Sequence, residues 1–253
     1  MAYRFNGKVA IVTGGSTGIG QATALKFAAE GASVVIADIN IDQGRLTAEQ
    51  VNRNNGQAIF VPTDVSDPTQ VSNLIDKTVA TYGKLDFAFN NAGIEGVMAS
   101  TVDCTEENWN RTIDINLKGV WLCMKYEIPA MLKQGGGVIV NMASVAGLVG
   151  FAGLPAYSAS KGGVIQLTKT AALEFSKLGI RINAVCPGAI QTSMIERIES
   201  TDEAIKDVLT NAHPIGRIGK PEEVADVVVW LCSEQSSFVV GYPIAIDGGY
   251  LAQ

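Results

Sequence analysis

Seven short apolar runs, separated by helix-length segments, constrain this chain more than any other feature. They are Lys8 to Thr13 (KVAIVT), Ser33 to Asp38 (SVVIAD), Ala58 to Pro62 (AIFVP), Leu85 to Asn90 (LDFAFN), Gly137 to Ala143 (GVIVNMA), Ile180 to Cys186 (IRINAVC) and Tyr242 to Asp247 (YPIAID). Each is nearly continuous in apolar character, whereas a strand wetted on one face alternates apolar and polar positions. Strands of this kind are buried on both faces, which requires helices above and below a mostly parallel sheet. The segments between them, for example Gly18 to Glu30 and Asp67 to Tyr82, are long enough for crossover helices. The expectation is an α/β fold with a doubly wound, mostly parallel sheet of seven strands, in one domain spanning residues 1–253. One segment breaks the alternation. Residues 188–220 follow the sixth run and carry the amphipathic patch SMIERIES. A long excursion at the carboxyl end of a strand is usually functional in this architecture, so 188–220 reads as a substrate-binding lid.

Composition narrows the function classes. Net charge is −6 and no basic run is present, which argues against nonspecific attraction to nucleic acid or anionic membrane. The leading MAYRFNGKVAIVTGG lacks the apolar core of a signal peptide, and no stretch approaches about 18 uninterrupted apolar residues. Cys104, Cys123, Cys186 and Cys232 are scattered without C-x-x-C spacing, as expected of free thiols in a reducing, cytoplasmic compartment. His213 is the only histidine and has no local ligand cluster, so no metal site is expected.

The first run leads into VTGGSTGIGQATALKFA. Gly14, Gly18 and Gly20 permit a tight turn and remove side chains where a diphosphate would approach. The following helix offers free backbone N–H groups and a positive dipole end. The spacing is G-x-x-x-G-x-G rather than the generic G-x-G-x-x-G, but its place between first strand and first helix points to dinucleotide binding in a Rossmann-like fold. The second run ends in Asp38, whose carboxylate can accept two hydrogen bonds from an adenosine ribose diol. The same charge repels a 2′-phosphate, and no arginine or lysine stands at Ser16, Thr17, Ile39 or Asn40 to neutralise one. NAD(H) is therefore expected over NADP(H); the plainer alternative makes Asp38 a helix cap or a surface charge.

Seven ordered motifs identify the chain as similar to the short-chain dehydrogenase/reductase family. They are TGGSTGIG (Thr13 to Gly20), DV (Asp64, Val65), NNAG (Asn90 to Gly93), Asn116 in DINLKG, Ser144 in NMASVAG, YSASK (Tyr157 to Lys161) and PGAIQT (Pro187 to Thr192). The resemblance covers nearly the whole chain. It implies an oxidoreductase that interconverts a secondary alcohol and a ketone with a nicotinamide dinucleotide.

Taken alone, Tyr157 and Lys161 are a phenol and an ammonium one helical turn apart, and such a pair is commonly a surface feature. By the resemblance, Tyr157 is the general acid/base. A free phenol with a pKa of about 10 is a poor base at neutral pH, and Lys161 would lower it and also hold ribose hydroxyls. Ser144 would hydrogen-bond the substrate oxygen, and Asn116 would hold a water linking Lys161 to solvent. The resemblance also implies cofactor contacts from Gly14, Ser16, Thr17, Gly18, Ile19, Gly20, Asp38 and Ile39. Asp64 and Val65 would meet the adenine; Asn91, Ala92 and Gly93 would pass beneath the adenosine. Pro187, Gly188, Ile190 and Thr192, with Tyr157 and Lys161, would flank the nicotinamide. Read without the family, Asn91 could serve only loop backbone, Ser144 a turn, and Thr192 a helix cap.

Met194, Ile195 and Ile198 are expected to form an apolar lid, facing a wall of Val145, Ala146, Leu148, Val149, Phe151 and Leu154. Glu95 and Arg197 are the charges that could reach it, which favours a neutral or weakly polar alcohol or ketone. His213 is expected to be incidental, Cys186 a packed thiol and Asp247 structural. In NWNRTIDINLKGVWLCMKYEIPAML, one continuous helix would turn Trp109, Ile113, Leu117, Val120 and Met124 to the sheet, leaving Ile115, Leu122 and Tyr126 for a partner. That pattern favours an oligomer, and the resemblance a homotetramer. Two rivals remain: an NADPH-dependent 3-ketoacyl-(acyl-carrier-protein) reductase, and a non-catalytic dinucleotide-binding scaffold or sensor.

Overall fold

The seven apolar runs become β1 (Val9–Thr13), β2 (Ser33–Asp38), β3 (Gln57–Pro62), β4 (Phe87–Asn90), β5 (Gly137–Met142), β6 (Ile180–Pro187) and β7 (Pro243–Ile246) in the computed structural model of the chain. Residues 4–193, 195 and 204–253 are described by it. All pairings are parallel, and the strand order is β3-β2-β1-β4-β5-β6-β7. Rossmann-like topology is thereby realised in a single domain.

Alternation within each strand explains why the runs had to be apolar throughout. Ala10 and Val12, Val34 and Ile36, Phe87 and Phe89, and Val138 and Val140 enter one core with Phe27 and Val228. Their neighbours Ile11, Val35, Ala88 and Ile139 enter the opposite core with Leu74, Met124 and Ile165. Helices α1 (Gly18–Ala29), α2 (Ile41–Arg53) and α8 (Pro221–Leu231) cover the first face. Helices α3 (Pro68–Tyr82), α5 (Gly119–Lys133) and α6 (Pro155–Phe175) cover the second. Short α4 (Glu106–Ile113) and α7 (Ala204–Asn211) sit outside these layers in sequence order.

Local chemistry sets the boundaries. The Asp67 carboxylate accepts from the Thr69 and Gln70 amides with Pro68 in the first turn, which starts α3 one residue later than the apolar pattern implies. The run at Leu85 overshoots β4 because Leu85 bonds through both N–H and C=O to the Gln134 amide side chain. Asp86 meanwhile accepts from the Val9 amide.

One expectation fails. The segment from Glu106 to Lys133 is not a uniform helix: a π-helical turn, Asp114–Lys118, separates α4 from α5. An extra residue in one turn rotates everything after it by about 100° relative to the preceding stretch. Trp109 is consequently 41% exposed instead of facing the sheet, while Leu122 packs internally against Val65, Val71 and Cys123. Among the described residues no helix is long and apolar enough to cross a membrane.

Candidate active site

Strand order reverses direction between β1 and β4, so the crossovers diverge there and leave a crevice at the carboxyl ends of the strands. A cleft of about 980 Å³ occupies that place. It is lined by Gly14, Ser16, Thr17, Gly18, Ile19, Asp38, Ile39, Asp64, Val65, Asn91, Ala92 and Gly93 at one end, and by Ser144, Tyr157, Lys161, Pro187, Gly188, Ile190 and Thr192 at the other. Two expected residues do not line it, Gly20 and Asn116.

Close backbone approach builds the first end. Gly14 has φ +61°, and a Cβ there would stand 2.8 Å from Asn91 Nδ2 and 2.9 Å from Ala92 Cα. A Cβ on Gly20 would stand 2.0 Å from the Gly14 carbonyl oxygen, so Gly20 acts from behind the loop by letting α1 press against it. Thr17 precedes α1 without a side-chain cap, leaving the first-turn amides unserved by any side chain. A shallow loop of backbone followed by an uncapped helix start fits a diphosphate. Asp38 accepts from Ser16 Oγ at 2.6 Å and Ser16 N at 3.1 Å, and from Asn40 N at 2.9 Å, tying the loop to the end of β2. Asn91 donates from Nδ2 to the carbonyls of Thr13 and Gly14, both at 3.0 Å. Asp64 accepts from the Ser66 amide and hydroxyl.

Buried side chains build the second end. Lys161 is 3% exposed and donates from Nζ to the Met142 carbonyl at 2.9 Å. Burial pushes its pKa down to about 8, with Cys186 acting in the opposite sense. The ammonium lies over the Tyr157 ring, 5.6 Å from its centroid. Burial raises the Tyr157 pKa, the neighbouring Ser144 hydroxyl lowers it, and the Glu95 carboxylate raises it again. Ser144 is a hydroxyl beside the phenol that favours phenolate. Ser144 also caps the turn after β5, accepting from the Ala146 amide at 3.1 Å.

Asn116 has a set of fixed protein partners. Within the π-helical turn its side chain brackets Ile94, accepting from N and donating to O, both at 2.8 Å. It donates also to Ser160 Oγ at 3.2 Å, and Ser160 donates to the Tyr157 carbonyl at 2.7 Å. Asn116 thus locks the loop after β4 to the first turn of α6. Beneath the floor, Asn90 donates to Glu127 Oε2 and to Asn141 Oδ1, its register partner on β5, each at 3.0 Å. Burial raises Glu127 to about 8, partly offset by the Asn90 bond.

The substrate walls are partly as expected. Val145, Ala146, Phe151, Leu154 and Ile195 line the cleft, while Leu148 and Val149 are exposed away from it. Met194, Arg197 and Ile198 lie outside the described residues. Cys186 is fully buried, its thiol pushed up to about 11 by burial. Asp247 accepts from the Gly249 and Leu251 amides, a structural role. His213 is not incidental: it is 4% exposed, with both ring nitrogens bonded. Arg111, Ile94, Leu209 and Tyr250 also line the cleft without having been singled out. Nothing in the local sequence marks Tyr250, which reaches the site from the segment after β7 and stacks at 5.9 Å on Phe151.

Comparison with known proteins agrees with this geometry. The family described as enoyl-(acyl carrier protein) reductase matches residues 14–251. A cyclohexanol dehydrogenase of Acinetobacter sp. (strain SE19) is 44% identical over 253 residues, covering 100% of this chain and 98% of its own. A 3-oxoacyl-[acyl-carrier-protein] reductase of Thermotoga maritima is 42% identical, covering 97% of this chain and 98% of its own. The crystal structure of a levodione reductase superposes with a TM-score of 0.96 at 36% identity, covering 98% of this chain and 99% of that one.

Proposed function

The chain belongs to the short-chain dehydrogenase/reductase family, and on that premise we propose that it is an NAD(H)-dependent dehydrogenase of neutral alicyclic secondary alcohols, run reversibly with their ketones. The observation that carries this reading is the cluster of buried Ser144 and Lys161 with half-buried Tyr157 in one cleft. A nicotinamide bound there would supply the hydride chemistry. Everything else falls to the chain. Tyr157 holds or releases the proton of the reacting oxygen, and Ser144 hydrogen-bonds that oxygen and steadies negative charge on it. Lys161, held on the Met142 carbonyl, presents a cation above the phenol and toward the ribose side of the cleft. Asn116 positions Tyr157 through Ser160. Val145, Phe151, Leu154 and Ile195 exclude water, and the described residues Ser193, Val208, Leu209 and Ala212 of the 188–220 excursion line the same cleft, which supports a lid role for it.

NAD over NADP is supported by Asp38, which stands at the end of β2 without a basic neighbour at Ser16, Thr17, Ile39 or Asn40. An alicyclic substrate is supported by the apolar wall and by the cyclohexanol dehydrogenase relative. The acyl-carrier-protein reductase relative keeps one rival reading in play, with NADPH and a thioester substrate. A homotetramer is our further proposal: Trp121, Leu173, Phe238 and Tyr242 are large apolar side chains left exposed on α5, α6 and beside β7. The four free cysteines suit a reducing cytoplasm.

Absorbance at 340 nm tests this reading, with NAD and NADP each offered cyclohexanol, open-chain secondary alcohols and a hydroxyacyl thioester. Turnover of cyclohexanol with NAD is the expected result. Turnover of the thioester alone, with NADP, would replace it with the rival.

A further inference from the structure

Two hydrogen bonds fix the state of the one imidazole. His213 Nδ1 lies 2.6 Å from the Leu209 carbonyl oxygen, which can only accept, so Nδ1 carries a proton. Nε2 lies 3.1 Å from the Ala189 amide, which can only donate, so Nε2 carries none. Only the neutral Nδ1–H tautomer satisfies both. The ring also packs 5.5 Å from Tyr250, so α7, the segment after β6 and the segment after β7 meet on one side chain.

Gly188 is shaped for this contact. A Cβ there would fall 2.5 Å from His213 Nε2. The amide that His213 holds belongs to the residue just before Ile190, whose carbonyl accepts from Thr192 Oγ1 at 3.2 Å. Ala189 and Gln191 further pair with Gly219. The charged and titratable groups around the imidazole are already engaged. Asp247 spends both carboxylate oxygens on Gly249 and Leu251, Arg217 pairs with Glu223, and Tyr250 presents its ring. A protonated imidazole would turn Nε2 into a donor facing a donor, with no described carboxylate in ion-pair distance to compensate.

We propose that His213 is a positioning residue: as a neutral imidazole it clamps the Ala189 amide and so sets the Ile190–Thr192 wall against the nicotinamide side of the cleft. This rests on the assignment of Ile190 and Thr192 as cofactor contacts. The role is separable from general folding, because it predicts a split between the two ends of the dinucleotide.

The test uses the full chain with His213→Leu, His213→Gln and Gly188→Ala, the last displacing the imidazole without removing it. Losing one hydrogen bond to a fixed wall is expected to weaken NADH by about tenfold in His213→Leu and Gly188→Ala, with ADP-ribose affinity unchanged. His213→Gln keeps an acceptor and should hold NADH affinity near the native value. Hydrogen exchange at the Ala189 amide supplies a readout independent of any cofactor: faster in His213→Leu, protected in His213→Gln. Unchanged Ala189 exchange and an unchanged NADH preference in His213→Leu would overturn the proposal. If the native protein binds neither ligand, the functional assignment fails, while the Ala189 exchange still decides the clamp.

Discussion

The two ends of the cleft are made of different material. At the glycine-loop end the surface is backbone, brought close by missing Cβ atoms at Gly14 and Gly20 and tied down by Asp38 and Asn91. At the other end the surface is ionisable side chains in a dry setting, Tyr157 and Lys161, held by carbonyls and by the Asn116–Ser160 relay. Backbone offers shape and fixed dipoles whose character does not depend on pH, as binding requires. Buried titratable groups offer proton affinities that their surroundings can shift, as reaction requires. Binding and turnover should therefore be separable by mutation along the length of one cleft.

The sharpest test of that division is Tyr157→Phe, which should lower kcat by about 10³-fold or more while leaving the NADH dissociation constant nearly unchanged. A parallel loss of binding would break the comparison. Lys161→Met should cost about 10²-fold in kcat with a smaller rise in KM, since the cation serves both the phenol and the ribose side. At the opposite end, Gly20→Ala must resolve a 2.0 Å contact with the Gly14 carbonyl. It should weaken dinucleotide binding by about tenfold to a hundredfold, by calorimetry, with kcat at saturation largely kept. Asp38→Ala should shift the NAD to NADP preference by about tenfold and leave kcat alone.

A test independent of turnover is read in stability. Glu127 is held near pKa 8 in the fold against 4.5 when free, so its contribution is complete below pH 4.5 and is lost as pH rises through about 8. The decline should run at up to about 1.4 kcal/mol per pH unit in urea titrations, and Glu127→Gln should abolish it. Lys161 works in the other window. Held near 8 against 10.5, it sheds its proton first in the fold, so stability rises between those values and Lys161→Met removes the rise.

The fold was legible because its dominant force is legible: strands buried on both faces must be apolar through their middles, and β1, β2 and β5 are, with polar residues only toward their ends. The glycine loop was legible because its spacing has a steric meaning. Sequence reading failed where periodicity was assumed to persist. The π-helical turn at Asp114–Lys118 put Trp109 out of line with Val120 and Met124, which do face the sheet. Spacing also gives proximity but not partners: Tyr157 and Lys161 share a helix face, and the Met142 carbonyl on β5 that accepts from the ammonium is set only by the fold. His213 read as incidental because its partners, Ala189 and Tyr250, are brought to it only by the folded chain.

The Met142 anchor has an evolutionary corollary. Every amino acid contributes the same peptide oxygen, so replacing the residue at position 142 does not delete the acceptor on which the Lys161 ammonium rests. Genetic drift at that codon is buffered, and the neighbouring pocket can be remodelled for new substrates without forfeiting the proton chemistry beneath it.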